Sequence, residues 1–219
     1  MRTRRKLTFK RGRLARRRRF WSRRSRVGRQ GVPKIHYFKR TYTYTVDVTG
    51  NANAFIPVLT ASAGGYNRFR LSDCPNYGDF TDLYDSYKIC GIKRKYVFNA
   101  NSAETNVSSF GLPRLVTVND WNDITAAANE NEMLEYASCK ISRLDKVCKR
   151  FFKPTTTISD AVQGNYQVQK REWFDCATGA DQNHHGLKEA LIINSTNEAE
   201  RIGYLHIYTT LYLAFRSPR

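Results

Sequence analysis

The first forty residues contain no Asp and no Glu, although they hold eighteen Lys and Arg. The other 179 positions carry the remaining nineteen basic residues and all nineteen acids. The formal charge of +18 therefore belongs to the amino-terminal segment, and the rest of the chain is neutral. Other absences narrow the function. There is no GxGxxG, no P-loop and no HExxH, which removes the common signatures of dinucleotide, nucleotide and zinc-protease chemistry. No GxSxG elbow is present. No run of eighteen apolar residues offers a membrane span, and no apolar stretch of the secretory kind follows Arg2. The five cysteines (Cys74, Cys90, Cys139, Cys148 and Cys176) form no CxxC pair. His184 and His185 have only the lone Cys176 nearby, so reduced, mostly buried thiols are expected, with no zinc site. Asp79, Asp82 and Asp85 lack EF-hand spacing and alternate with Phe80, Leu83 and Tyr84, as in a loop packing down before a strand. No enzyme, metal or cofactor is expected.

What is present begins with the basic segment. Residues 1–29 hold thirteen Arg against two Lys. Arg presents a planar donor fork that fits phosphate and stacks on bases. The basic residues expected to contact nucleic acid are Arg2, Arg4, Arg5, Lys6, Lys10, Arg11, Arg13, Arg16, Arg17, Arg18, Arg19, Arg23, Arg24, Arg26 and Arg29. Phe20 and Trp21 sit between Arg blocks, where they can stack on unpaired bases. Self-repulsion and a shortage of apolar residues predict that residues 1–36 are disordered in isolation. The clusters Arg2, Arg4, Arg5, Lys6 and Arg16, Arg17, Arg18, Arg19 also read as a nuclear localisation signal, with a host import receptor as partner.

Residues 37–219 have the size of one domain, and their Tyr, Thr, Val, Ile and Phe content favours strands. Thr41–Thr49 alternates strictly, with Tyr42, Tyr44, Val46 and Val48 on one face. A long last strand is predicted over about 202–215. Leu205, Ile207, Leu211, Leu213 and Phe215 form its apolar face, and Tyr204, His206, Tyr208, Thr210 and Tyr212 form the other. Such a strand suits the centre of a sandwich. Weaker strands are predicted over 87–98, with Cys90, Ile92, Tyr96 and Phe98 on one face, and over 112–119, 138–144 and 168–174. Residues 125–135 read as a short helix in a long loop. Without a βαβ rhythm, an all-β sandwich or jelly roll follows. A second basic-aromatic cluster, Lys146, Lys149, Arg150 and Lys153 around Phe151 and Phe152, is either a nucleic-acid-facing surface or a charge-protected sheet edge.

At these residues the chain resembles the capsid proteins of circoviruses and the related cycloviruses. The resemblance rests on the Arg-rich start running into Tyr42–Val48, the segment Phe80–Ile89, Tyr136–Leu144, Lys149–Thr155 and the terminal strand Gly203–Arg216. It implies an eight-stranded antiparallel jelly roll behind a disordered arm. It also implies a homo-oligomer of about sixty copies in a T=1 icosahedral shell. The arm would face inward on a circular single-stranded DNA genome, and the protein would reside in the virion and the host cell nucleus. The host cell-surface attachment factor is left unknown. Sixty arms at +18 supply about 1,080 charges, on the order of the phosphates of a genome of one to two thousand nucleotides. The rival reading is a basic-tailed ribosomal or chromatin-type protein, which predicts a basic body as well as a basic tail.

Overall fold

The computed structural model describes residues 34–49, 54–58, 68–100, 113–121, 127–159, 166–169, 172–193 and 201–218. The compact unit that holds the strands runs from Ile35 to Arg219.

Strand β1 spans His36–Thr49, longer at its start than the alternation of Thr41–Thr49 alone suggests. β2 is Ala54–Pro57, and β3 is Tyr84–Ala100. β4 (Arg114–Val118), β5 (Lys140–Arg143) and β6 (Cys148–Phe152) follow. Then come β7 (Thr155–Ser159), β8 (Tyr166–Gln169), β9 (Phe174–Asp175) and β10 (His184–His185). β11 is Lys188–Ile193, and β12 is Arg201–Pro218. Among the described residues two short helices interrupt them, α1 (Tyr77–Leu83) and α2 (Glu130–Leu134).

The pairing is that of a long hairpin folded back on itself. β1 pairs with β12, β2 with β11, β3 with β6 and β4 with β5, all antiparallel. Cross-pairs β12–β3 and β11–β4 then close two four-stranded sheets, ordered β1-β12-β3-β6 and β2-β11-β4-β5. Eight strands wound in this order make a jelly roll. The short β7, β8 and β10 form a separate small sheet, and β9 adds to the edge of β3. All of these lie in the insertion between β6 and β11.

The core lies between the two sheets. From β12 it takes Leu205, Ile207, Leu211, Leu213 and Phe215, each fully buried, as the alternation predicts. β12 is central, flanked by β1 and β3. β3 departs from prediction. A bulge skips Cys90, since Gly91 pairs with Tyr212 while Ile89 pairs with Leu213. One extra residue reverses the parity of everything beyond it. Tyr87 and Ile89 therefore face the core before the bulge and Ile92, Arg94 and Tyr96 after it, while half-buried Cys90 is the extra residue at the register step.

Other boundaries also moved. The segment with Asp79, Asp82 and Asp85 is not a loop: it contains α1, which buries Phe80 against Phe215 in a stacked pair with centroids 4.8 Å apart. The strand expected over 168–174 is two separate strands, β8 and β9. The short helix expected in 125–135 is α2; Asn129 caps it by accepting from the Glu132 N–H, and Met133 is buried. Cys74 and Cys176 are buried, whereas Cys90, Cys139 and Cys148 are only half-buried; none of the five is held in a disulfide.

Candidate nucleic-acid interface and the buried ion pairs

The arm residues expected to bind nucleic acid or an import receptor, Arg2 through Arg29 with Phe20 and Trp21, lie outside the described residues. The second basic-aromatic cluster lies within them, and strand alternation divides it. β6 is the edge strand of the first sheet. Arg150 and Phe152 turn inward. Phe152 is 3% exposed, and Arg150 donates to Ser138 O at 2.6 Å and to Asn119 Oδ1 at 3.2 Å. Burial lowers the pKa of that guanidinium, which is bonded to neutral oxygens. Lys149 and Phe151 turn outward, and Phe151 is 54% exposed. Lys146 and Lys153 are exposed beyond the two ends of β6.

The outward side of the first sheet carries a row of like chemistry. Lys149 lies opposite Lys95, and Phe151 opposite Lys93. Lys95 in turn lies opposite Tyr208, with its ammonium 5.0 Å from the ring centroid. Gly91 makes room for Phe151. A Cβ there would come within 2.7 Å of Phe151 Cζ, so only glycine lets the ring lie down on the strand and meet Tyr212 edge-on at 5.9 Å. At the lower end of the sheet, Lys88 and Arg216 both sit over the Trp173 ring, at 5.8 and 4.6 Å. His206 is on this face too, bonded through Nδ1 to Thr45 Oγ1 at 3.0 Å.

Among the described residues, two buried ion pairs escaped sequence reasoning. Arg94, on β3, and Glu189, on β11, are both fully buried and join the two sheets. The guanidinium forks onto the carboxylate at 3.1 Å (Nε to Oε1) and 2.6 Å (Nη2 to Oε2), and Nη1 donates to Thr209 Oγ1 at 2.6 Å. Arg94 also donates to the Tyr44 hydroxyl, and the Tyr96 hydroxyl donates to Glu189. Burial alone would lower the arginine's pKa, but the Glu189 carboxylate outweighs it and holds Arg94 above its ordinary value. Burial pushes the Tyr42 and Tyr44 hydroxyls up. The signal was available: Arg94 shares the parity of Ile92 and Tyr96. On the far side of the second sheet, Lys188 Nζ meets Asp120 Oδ2 at 2.9 Å, and the Tyr136 hydroxyl donates to the same oxygen at 2.8 Å.

His184 lies in β10. It is 3% exposed, beside Phe174 (5.5 Å) and Tyr87 (6.3 Å), with Nδ1 3.0 Å from Gln182 O. Burial pulls its pKa down to about 4. Among the described residues, no group of three or more His, Cys, Asp and Glu is placed to hold a metal ion, and no helix is long and apolar enough to cross a membrane.

The described residues thus form a jelly roll with a row of lysines and aromatic rings on the outer face of one sheet. The solved structures it resembles share the fold. A 60-mer crystal structure of the BFDV capsid protein matches at 16% identity, covering 84% of this chain and 95% of that one, with a TM-score of 0.59. A decameric form of the BFDV capsid protein matches at 18% identity over 84% and 100%, with a TM-score of 0.52. A semi-empty particle of the giant freshwater prawn Macrobrachium rosenbergii nodavirus matches at 10% identity over 88% and 98%, with a TM-score of 0.53. No curated relative matches the chain. The family model for circovirus capsid protein matches residues 2–219, and the chain belongs to that family. It is a viral capsid protein and a component of the virion, which sets aside the ribosomal or chromatin-type reading.

Proposed function

We propose that the chain assembles as a T=1 icosahedral shell of about sixty copies around a circular single-stranded DNA genome, with the basic arm inside. The observation that carries this is the division of charge: eighteen basic residues and no acid in the first forty, and a balanced body behind them. A neutral body packs against copies of itself without net repulsion, while an Arg-rich arm neutralises phosphate without reading sequence. The 60-mer formed by the BFDV capsid protein, which shares the fold, supports the shell size. The same arm would carry the chain to the host nucleus through Arg2–Lys6 and Arg16–Arg19.

Electron microscopy of the purified protein tests the shell: closed particles of one small size are expected, and a monodisperse monomer would overturn it. Removing residues 1–36 should abolish most of the steep loss of single-stranded DNA affinity with salt. Unchanged affinity and slope would remove the arm from packaging. A large fluorescent fusion of residues 1–40 should enter the nucleus, and one with Arg16, Arg17, Arg18 and Arg19 changed to Ala should not.

A further inference from the structure

Edge protection accounts for Lys149 on β6, but not for Lys93 and Lys95. Those two lie on β3, an interior strand paired on both sides. Lys95 stands directly opposite Lys149, a cross-strand pair of like charges that costs stability. None of the three forms a salt bridge among the described residues. Following the register outward, the row above holds Thr45, His206 and Val97, and the first acid met is Asp47, opposite Tyr204 one row further. The sheet therefore groups three lysines on one face, and none of them has a salt-bridge partner among the described residues.

The aromatic rings are interleaved with these charges. Tyr208 and Phe151 each pair with one of the lysines, and Phe151 and Tyr212 meet edge to face over the seat left by Gly91. An acidic protein surface would satisfy the lysines but gives no reason for an exposed phenyl ring held on the strand. An unpaired nucleic-acid strand satisfies both, since phosphates pair with cations and bases stack on rings. Lys93 and Lys95 are two residues apart on one strand, about 6.6–6.8 Å, and Lys149 is a strand spacing away, so an extended backbone can meet all three.

We propose that this face is a second contact for single-stranded nucleic acid: Lys93, Lys95 and Lys149 hold phosphates, and Phe151 with Tyr208 and Tyr212 stacks unpaired bases. The inference rests on the reading of the chain as a coat that packages single-stranded DNA, and it places this sheet face, not only the arm, toward the genome.

The test uses the full chain and oligothymidylate, with affinity measured against salt. The variant K93Q/K95Q/K149Q should reduce the log–log salt slope by about 2, at about 0.7 per cation removed from a single strand, and weaken low-salt binding at least tenfold. Changing Arg16, Arg17, Arg18 and Arg19 to Ala should lower the slope separately and additively. Loss in the arm variant alone overturns the sheet contact and leaves the packaging arm. Loss in the sheet variant alone does the reverse. A bromodeoxyuridine-substituted oligonucleotide should crosslink to peptides containing Phe151, Tyr208 or Tyr212, and F151L, which keeps every charge, should lower that yield. Crosslinks confined to residues 1–36 would overturn the proposal. So would a triple variant that melts like the parent and keeps its slope but no longer assembles, because the face would then be an interface between copies.

Discussion

The two sheets of the sandwich treat their outer faces in opposite ways. The central strands β4 and β11 of the second sheet are covered on both sides. All six residues of β11 are buried. Leu191 and Ile193 pack toward the first sheet, while Ala190 and Ile192 pack outward with Val116, Val118 and Met133 of α2. The first sheet is covered on one side only, and its other face shows Thr, Lys and aromatic side chains. The difference separates holding the fold from meeting a partner. On β11 even the charges are internal fittings, because Glu189 and Lys188 each have a buried counter-ion. In the open sheet, lysines stand beside lysines.

The sharpest way to break the comparison is to unpair the charge between the sheets. Glu189→Ala leaves the Arg94 guanidinium buried without its counter-ion, and a loss of about 3–5 kcal/mol is expected in denaturant unfolding. Replacing both partners with apolar residues of similar volume should cost far less, since no orphan charge remains. An equal loss in the single and double variants would mean that packing, not charge, is what the pair supplies.

The second expectation weighs one covered face against the other. Leu211→Ala, between the sheets, and Met133→Ala, on the outside of the second sheet, should each cost about 2–5 kcal/mol, because both side chains are fully buried. A Met133→Ala protein with the parent's melting temperature would show that α2 does not close the second sheet.

Acid should reach the fold through His184. Its folded-state pKa of about 4 is below the ordinary 6.5, so the unfolded chain binds the proton more readily. The contribution is complete above about pH 6.5 and is lost as pH falls toward 4, by roughly 3 kcal/mol in all. Unfolding followed across that window should show the slope, and His184→Gln should flatten it. A slope unchanged by the substitution would assign the acid sensitivity elsewhere.

The smallest effect belongs to the open face. Lys95→Gln should change stability by no more than about 0.5 kcal/mol, as surface substitutions usually do. Tyr208→Ser should cost less than Leu211→Ala. A large destabilisation from either would mean that this face is part of the folded core's support.

Much of the architecture was legible in the amino-acid order because burial on one face writes itself as a period of two. β1 and β12 each have one covered and one open side, and their facing residues fall where alternation puts them. The division between the basic arm and the neutral body needed no structure at all, since charge counts do not depend on conformation. β11 was not legible for the converse reason. It is buried on both faces, so it has no alternation, and its opening Lys188-Glu189 looks like a turn. The parity of β3 failed at Cys90, because a bulge is a property of two paired strands and only one of them was being read. Arg94 shares the parity of the core residues Ile92 and Tyr96, but its counter-ion Glu189 lies ninety-five residues away, and nothing local names that partner. The same holds for the cluster around Phe151. Composition brought Lys149, Arg150, Phe151 and Phe152 together, but only the pleat and the register with β3 decided that Lys149 and Phe151 join Lys93 and Lys95 outside while Arg150 and Phe152 go in.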